Sequence, residues 1–181
     1  MKNTFILLLL FVFGVAYMSL SRVSDGYAQE QAIRAPREGF LAPNYTGTLA
    51  TGQSLLAEDL SGTPVVLNFW ASWCPPCRAE MPTLQKMSEH YSLAGVRFIT
   101  VNSTVQDTPQ NAQAFLSENQ ITIDTVMDPD GSITRAFEIT SLPTTFFISP
   151  NGKVYRVIVG GPVSEASLRT NIEQMLEEAA Q

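Results

Sequence analysis

The sequence is poor in the two side chains typical of structural zinc sites: it has two cysteines, Cys74 and Cys77, and a single histidine, His90. A structural zinc ion takes four such ligands, and His90 falls three to four turns beyond the cysteines on the same predicted helix. One chain therefore cannot build a zinc site from these residues, which leaves only a site shared between two chains. We expect no metal and no cofactor, and we interpret His90 as an ordinary surface side chain.

Basic residues are also scarce: 11 lysines and arginines stand against 17 aspartates and glutamates, so the formal net charge is −6. No basic patch is available to neutralise phosphates, which argues against a nucleic-acid partner. The hydrophobic content of 45% and the charged content of 15% are typical of a globular protein. A chain of 181 residues is long enough for one domain with a real core and too short for two of usual size.

Long hydrophobic runs are missing except at the N-terminus, where residues 4–20 are almost wholly apolar and follow Lys2. This run lies at the lower edge of what spans a bilayer and just above the usual limit of a signal-peptide core. We predict that residues 1–21 are a signal anchor or a signal peptide, and we favour an uncleaved anchor. Cleavage near the small residues Gly26 and Ala28 is the alternative, which would release a secreted or periplasmic protein. Either form places the rest of the chain outside the cytoplasm, with residues 22–38 as a polar linker and residues 39–181 as the domain.

Cys74 and Cys77 stand in the stretch NFWASWCPPCRAEMP, between a predicted buried strand and a predicted helix that begins at Pro75. Cys74 is thus at or next to the helix N-cap, where free N–H groups and the helix dipole lower a thiol pKa. Pro75 and Pro76 lack an N–H, so the N–H of Cys77 is the nearest one left for the Cys74 sulfur. We predict that Cys74 is the attacking thiolate and Cys77 the resolving thiol. A permanent disulfide is the alternative, although so short a loop stabilises a fold little.

The predicted helix after Cys74 has one apolar face with a single carboxylate in it. The residues on this face are separated by three or four positions: Cys77, Glu80, Leu84, Met87 and Tyr91. Burial raises the pKa of a carboxyl group, so we predict that Glu80 holds or passes a proton close to Cys77. The alternative is that Glu80 lies at the edge of this face, solvated or paired with Arg78 or another neighbour.

The remaining patterns predict an α/β domain with a mixed central sheet flanked by helices. Short apolar runs predict buried strands, and capping residues followed by helical spacing predict helices. The predicted strands lie at residues 65–71 and 96–101, in a C-terminal hairpin at 144–148 and 154–159, and in an N-terminal hairpin within residues 40–62. The predicted helices cover residues 75–91, start at Pro109, cover 132–137, and follow Ser164 with Leu168, Ile172, Met175 and Ala179 on one face.

Leu142 and Pro143 precede the predicted strand that begins at Thr144, and a proline there cannot lie in the middle of a sheet. A cis Leu142–Pro143 bond would turn the chain and place a free backbone edge beside the cysteines. Because only about 5–6% of X–Pro bonds in folded proteins are cis, the local pattern alone does not establish this bond.

Four separated motifs, GFLAPNY, VVLNFWASWCPPCRAEMP, VNS and SLPTTFFISPNGKV, occur in one order. They resemble the thioredoxin superfamily and are similar to its TlpA/ResA/CcmG-type membrane-tethered thiol-disulfide oxidoreductases over about residues 39–178. The resemblance implies a thioredoxin-like fold with an N-terminal β-hairpin extension, a helical insert at about residues 103–125 and a cis Pro143. It also implies a substrate groove lined by Trp73, Pro75, Pro76, Leu142, Pro143 and Thr144.

The resemblance bears on proton handling as well. Asn68 stands where the superfamily has a buried aspartate, and an asparagine cannot take a proton from Cys77. In the ResA-like branch an acidic residue that matches Glu80 is thought to take this role, which agrees with the helical-face argument above.

The activity that the resemblance implies is the reduction of disulfides in client proteins outside the cytoplasm, with electrons from a thiol donor in the membrane. Apocytochromes c are the best-known clients of such proteins, so a role in cytochrome c biogenesis is expected. Two alternatives stay open: a disulfide oxidase or isomerase that uses the same residues, and a non-catalytic module that only binds clients.

Overall fold

The computed structural model describes residues 33–180; the predicted N-terminal anchor and residues 22–32 of the predicted linker lie outside this range. Seven strands occur in the described range: β1 Thr46–Leu49, β2 Ser54–Leu56, β3 Val65–Trp70, β4 Arg97–Asn102, β5 Asp124–Met127, β6 Thr144–Ile148 and β7 Val154–Val159. The α-helices there are α1 Pro75–Tyr91, α2 Pro109–Glu118, α3 Ser132–Ala136 and α4 Glu165–Ala179, and short 3-10 helices cover Ala57–Leu60 and Thr104–Gln106. None of these helices is long and apolar enough to cross a membrane.

One mixed sheet joins the seven strands in the order β2-β1-β5-β4-β3-β6-β7. β3 pairs in parallel with β4, and β4 with β5, whereas β6 and β7 are added antiparallel on the other side of β3. The hairpin of β1 and β2 extends the sheet at β5, also antiparallel. Since α1 forms the crossover from β3 to the parallel strand β4, the N-terminus of α1 lies at the carboxyl end of β3.

The side chains of β3 alternate between two apolar cores, one on each face of the sheet. Val66 and Trp70 belong to the core under α1, α2 and α4, where Met81, Phe115 and Leu168 are also buried. The core on the opposite face contains Val65, Leu67, Phe69, Ile133, Phe137 and Phe146. All six residues of β3 are buried, as expected for a strand covered on both faces.

The predicted helix α1 and both predicted hairpins are confirmed, and the other predicted strands and the short helix agree to within one residue at each end. The buried face of α1 is also as predicted. In α4, Leu168, Ile172 and Met175 are buried, but the prediction for Ala179 is wrong, because this last residue of the helix is exposed. The sequence patterns did not predict β5, a strand of four residues whose pairing with β4 and β1 puts it inside the sheet.

Residues 34–38, which the sequence assigns to the linker, are bonded to the domain. The N–H of Ala35 donates to the carbonyl of Leu41 (2.9 Å). The Glu38 carboxylate accepts the N–H of Val157 (3.2 Å) and lies 3.5 Å from the guanidinium of Arg156. A free linker would therefore end before residue 34.

Candidate active site

Cys74 and Cys77 lie where β3 gives way to α1, and they are joined by a disulfide with a Cα–Cα distance of 5.3 Å. Cys74 is the N-cap of α1, and its sulfur accepts the N–H of Cys77 at 3.3 Å. Pro75 and Pro76 occupy the first two helical positions, so neither supplies an N–H to the sulfur. Cys74 is 3% exposed and Cys77 is fully buried. The pair is therefore asymmetric, with Cys74 at the helix N-terminus and nearer to solvent.

The predicted cis bond between Leu142 and Pro143 is present. The sheet register pairs Thr144 with Phe69 of β3, so Pro143 lies at the same end of the sheet as the cysteine pair. The carbonyl of Pro143 accepts the N–H of Gly160 (2.8 Å), which ties the bend to the end of β7.

Glu80 is fully buried, one helical turn beyond Cys77 on the same face of α1. One carboxylate oxygen accepts the Asn68 side-chain amide (2.8 Å), and the other accepts the N–H of Val163 (2.7 Å). Burial raises the pKa of the Glu80 carboxyl above its usual value, and the bonds from Val163 and Asn68 oppose that rise without cancelling it. The exposed or Arg78-paired alternative for Glu80 is wrong: Arg78 donates instead to the carbonyl of Ser72 (3.1 Å).

Asn68 lies in the middle of β3 and is 1% exposed. Its amide nitrogen donates both to Glu80 and to the hydroxyl of Thr145 on the paired strand β6 (2.9 Å). Its carbonyl oxygen is buried and has no hydrogen-bond partner among residues 33–180. Asn68 thus donates a hydrogen bond to the Glu80 carboxylate from the sheet. As an amide, Asn68 cannot itself act as a base.

A second cis peptide bond, between Gly161 and Pro162, lies beside Glu80 and was not predicted. A Cβ at position 161 would stand 2.5 Å from Cγ of Pro143 and 2.7 Å from a carboxylate oxygen of Glu80. Gly161 therefore lets the chain after β7 pass close enough for Val163 to reach Glu80. The only sequence signal for this contact is the Gly-Gly-Pro turn that residues 160–162 form.

The predicted groove residues differ in how much they show to solvent. Trp73 is 55% exposed and Pro75 is exposed, while Pro76 and Leu142 are half-buried. Pro143 and Thr144 are buried, and the Thr144 hydroxyl donates to the carbonyl of Ser141 (2.8 Å). Trp73, Pro75, Pro76 and Leu142 therefore present side-chain surface to solvent, and Pro143 and Thr144 do not.

Within the described residues, no group of three or more histidine, cysteine, aspartate or glutamate side chains is arranged to hold a metal ion. His90 is exposed and lies 3.3 Å from the guanidinium of Arg169. Sequence reasoning missed several residues around the cysteine loop, among them Ser72, Gln106 and Asp107, whose contacts join segments distant in the chain.

The chain joins a Cys-x-x-Cys disulfide at a helix N-terminus to a cis-proline at the same end of the sheet, and with the relatives named below this defines a thiol-disulfide oxidoreductase with a thioredoxin-like fold. The model of the AhpC/TSA family matches residues 39–157. The chain belongs to this thioredoxin-like family.

Two relatives and one solved structure illustrate the likeness. The thiol-disulfide oxidoreductase ResA of Bacillus subtilis is 34% identical over 139 residues, covering 75% of this chain and 76% of that protein. ResA of Geobacillus thermodenitrificans is 31% identical over 175 residues, covering 97% and 92% respectively. A crystal structure from Chlorobium tepidum, assigned as the thiol:disulfide interchange protein DsbE, superposes with a TM-score of 0.71 at 32% identity, over 77% of this chain and 98% of that one.

Proposed function

We propose that the protein reduces disulfides of client proteins outside the cytoplasm, with Cys74 as the attacking thiolate and Cys77 as the resolving thiol. The asymmetry of the pair supports this assignment. The Cys74 sulfur receives an N–H and the positive end of the α1 dipole, which both stabilise a thiolate, whereas Cys77 is fully buried inside the first turn. A client sulfur would therefore meet Cys74 first.

The exchange has two steps. The Cys74 thiolate attacks one sulfur of the client disulfide, forms a mixed disulfide and releases the other client sulfur as a thiolate. Cys77, after loss of its proton, attacks the Cys74 sulfur, forms the Cys74–Cys77 disulfide and releases the second client thiolate. The client gains two electrons and the protein loses two, so a dithiol donor must then reduce the Cys74–Cys77 bond again.

Glu80 is proposed to take the proton that Cys77 must lose. It is the buried carboxyl on the same face of α1, one turn from Cys77, and its pKa is raised by burial. A group of this kind titrates nearer to neutral pH than an exposed glutamate and can therefore both accept and return a proton. The two donors from Asn68 and Val163 hold its oxygens in place.

The groove proposed for the client runs between Trp73 and the bend at Leu142–Pro143, with Pro75 and Pro76 beside the attacking sulfur and Thr144 behind the bend. Trp73 and Pro75 are exposed, and Leu142 is partly so, which leaves apolar surface around the disulfide for a client chain. The Leu142–Pro143 bend lies at the same end of the sheet as the cysteine pair.

The place of action is proposed from the N-terminal sequence. Residues 1–21 would hold the protein in the membrane, residues 22–38 would contain the linker, and the domain from residue 39 would act outside the cytoplasm. A thiol donor in the membrane would supply the electrons, because no glutathione pool keeps thiols reduced outside the cytoplasm. Apocytochromes c are the clients that the sequence resemblance suggests.

The midpoint potential of the Cys74–Cys77 couple, measured on the full chain in thiol redox buffers, tests the direction. We expect a value near or below about −250 mV, towards that of thioredoxin. A value near about −120 mV, as in strong oxidants, would make the protein a disulfide donor instead. A Cys74→Ser variant with full biological activity would show that the protein binds clients without exchanging disulfides.

A further inference from the structure

The segment between β4 and α2 contacts the loop that leads into Cys74. This segment consists of the 3-10 helix Thr104–Gln106 followed by Asp107, and the loop consists of Ala71, Ser72 and Trp73. The two stretches are more than thirty residues apart in the chain, yet three side-chain hydrogen bonds join them directly. None of these contacts involves a cysteine, Glu80 or the cis-proline bend.

Asp107 is the centre of these contacts. One of its oxygens accepts the N–H of Ser72 (2.6 Å) and the side-chain amide of Asn102 (3.0 Å). The other accepts the Ser72 hydroxyl (2.7 Å) and the N–H of Thr108 (2.8 Å). Partial burial opposes ionisation, but the bonds from Asn102, Ser72 and Thr108 outweigh it and lower the pKa of the Asp107 carboxyl. Asp107 is therefore an anion held by four neutral donors.

Ser72 is held from both sides. Its N–H and hydroxyl go to Asp107, and its carbonyl accepts the guanidinium of Arg78 (3.1 Å) from the second turn of α1. The same guanidinium lies over the ring of Phe115 in α2, 4.6 Å from its centre. The N–H, the hydroxyl and the carbonyl of Ser72 are therefore all hydrogen-bonded, and the residue is 8% exposed. These bonds fix the orientation of Ser72, two positions before Cys74.

Trp73 is fixed by the same segment. Its indole N–H donates to the carbonyl of Gln106 at 2.7 Å. The residue is 55% exposed, and this bond joins its ring to the segment between β4 and α2. Trp73, next to Cys74 in the chain, is thus hydrogen-bonded to Gln106, next to Asp107 in the chain.

We propose that Asp107 is a positioning residue of the redox site: through Ser72, and by anchoring the turn that holds Trp73, it fixes the loop that presents Cys74 to a client disulfide. The inference deepens the proposed function, since it rests on Cys74 being the attacking sulfur. If the loop were not fixed, it would have to become ordered each time the Cys74 sulfur attacks, which costs conformational entropy. Poor alignment of the attacking sulfur with the client disulfide would also slow the reaction.

Positioning and charge predict opposite effects of removing Asp107. A negative charge near Cys74 disfavours its thiolate, so a role through charge alone predicts that neutral variants lower the Cys74 pKa and react at least as fast as the wild type. A positioning role predicts that only the variant that loses the hydrogen bonds reacts more slowly.

Asp107→Ala and Asp107→Asn separate the two effects. Alanine removes all four bonds and the charge. Asparagine removes the charge, but its oxygen can still accept from Ser72 N–H and Asn102, and its NH₂ can donate to the Ser72 hydroxyl oxygen. The Thr108 N–H and the proton of the Ser72 hydroxyl lose their acceptor, so Asp107→Asn keeps the link to Ser72 with three of its four bonds. Asp130→Ala is the matched control, because it removes an exposed aspartate whose carboxylate accepts a backbone N–H, that of Ser132 at the start of α3 (3.0 Å), and is not one of the contacts to Ser72 or Trp73.

The experiment uses the reduced full-length chain. The second-order rate constant for attack on the small disulfide 5,5′-dithiobis(2-nitrobenzoate) is measured for each variant, and hydrogen exchange of the Trp73 indole N–H is followed by NMR, assigned with a Trp73→Phe variant. We expect Asp107→Ala to react about tenfold more slowly and to exchange its indole proton faster. Asp107→Asn should stay within about twofold of the wild type, and Asp130→Ala should match it.

Two results would overturn the inference: wild-type rate and indole exchange in Asp107→Ala, or equal acceleration in the alanine and asparagine variants. If Asp107→Ala does not fold, Ser72→Ala, which removes one of the two bonds between Ser72 and Asp107, must still slow the reaction for the inference to stand. Failure of the proposed function looks different. Mapping of wild-type alkylation by peptide mass spectrometry would then place the reactive thiol at Cys77 and not at Cys74.

Discussion

Replacement of Glu80 by glutamine tests the proton role with little change in shape. Both Glu80 oxygens accept hydrogen bonds, from Asn68 and from Val163, and an amide offers only one acceptor. The Val163 N–H belongs to the backbone and cannot turn away, so the new oxygen should face it and the new NH₂ should face Asn68. Asn68 can turn its own amide so that its carbonyl oxygen, which is buried without a partner in the described part of the chain, accepts the new NH₂; its own NH₂ then loses Glu80 as an acceptor. Near the ordinary pKa of glutamate the folded wild type carries a proton on Glu80 and presents a donor to Asn68 in the same place, so we expect the free energy of unfolding to differ by less than about 1 kcal/mol there.

The pH dependence of stability has a definite sign. The folded chain binds the Glu80 proton more tightly than the unfolded chain does, because burial raises the pKa of this carboxyl. The stability that the folded chain gains by binding this proton is fully present below the ordinary pKa of glutamate, about 4.3. This stability is lost as the pH rises through the folded-state pKa of Glu80. The Glu80→Gln variant lacks this loss. Urea unfolding should accordingly show the variant gaining stability relative to the wild type as the pH rises across that window.

The catalytic effect should be much larger than the effect on stability. General acid–base catalysis is worth about 10²–10⁴ in rate, and because one proton is handled here we expect the resolving step to slow by about 10²-fold, or about 2.7 kcal/mol in barrier height. Stopped-flow measurement of mixed-disulfide decay over a pH series gives both the rate and its inflection. The wild-type rate should fall as the pH falls through the raised pKa of Glu80, and this inflection should be missing in the variant.

Glu89→Gln is the control, since Glu89 lies on the same helix, is exposed, and has a carboxylate that accepts the side-chain amide of Gln85 one turn away (2.8 Å). It should leave the rate, the pH profile and the stability unchanged. A wild-type rate and a wild-type pH inflection in Glu80→Gln would refute the proton role, whatever the variant's stability.

Three further predictions concern the rest of the site. Gly161→Ala should lower the free energy of unfolding by about 1–2 kcal/mol in urea titrations, because the new Cβ would stand 2.5 Å from Pro143 and the bend must move. An unchanged urea concentration at half-unfolding would mean that the bend can move without a loss of stability. Cys77→Ser should accumulate a mixed disulfide with client on non-reducing gels, and Cys74→Ser should not, whereas trapping by both would deny the two sulfurs distinct roles. Trp73→Ala should raise the KM for a protein client several-fold with little change in midpoint potential, and an equal effect on a small disulfide would argue against client contact.

Local patterns predicted the elements that depend on neighbours in the chain. The apolar run of β3, the proline start of α1 and the three- and four-residue spacing that buries Glu80 are all visible in the sequence, because strand and helix geometry repeat over a few residues. The strand β5 is not visible in this way. It has four residues, and it is a strand because β4 and β1 pair with it from both sides.

The sequence by itself determined the chemistry available at the site: two cysteines at a helix N-terminus, one carboxyl on the same buried face, and a proline ahead of the paired strand. Only the tertiary structure decided how these groups are held. The Val163 N–H that meets Glu80 lies 83 residues away in the chain, and the Asp107 carboxylate that meets Ser72 lies 35 residues away. Hydrogen bonds of that kind depend on sheet register and on the close approach that Gly161 permits, and neither leaves a periodic signal in the chain.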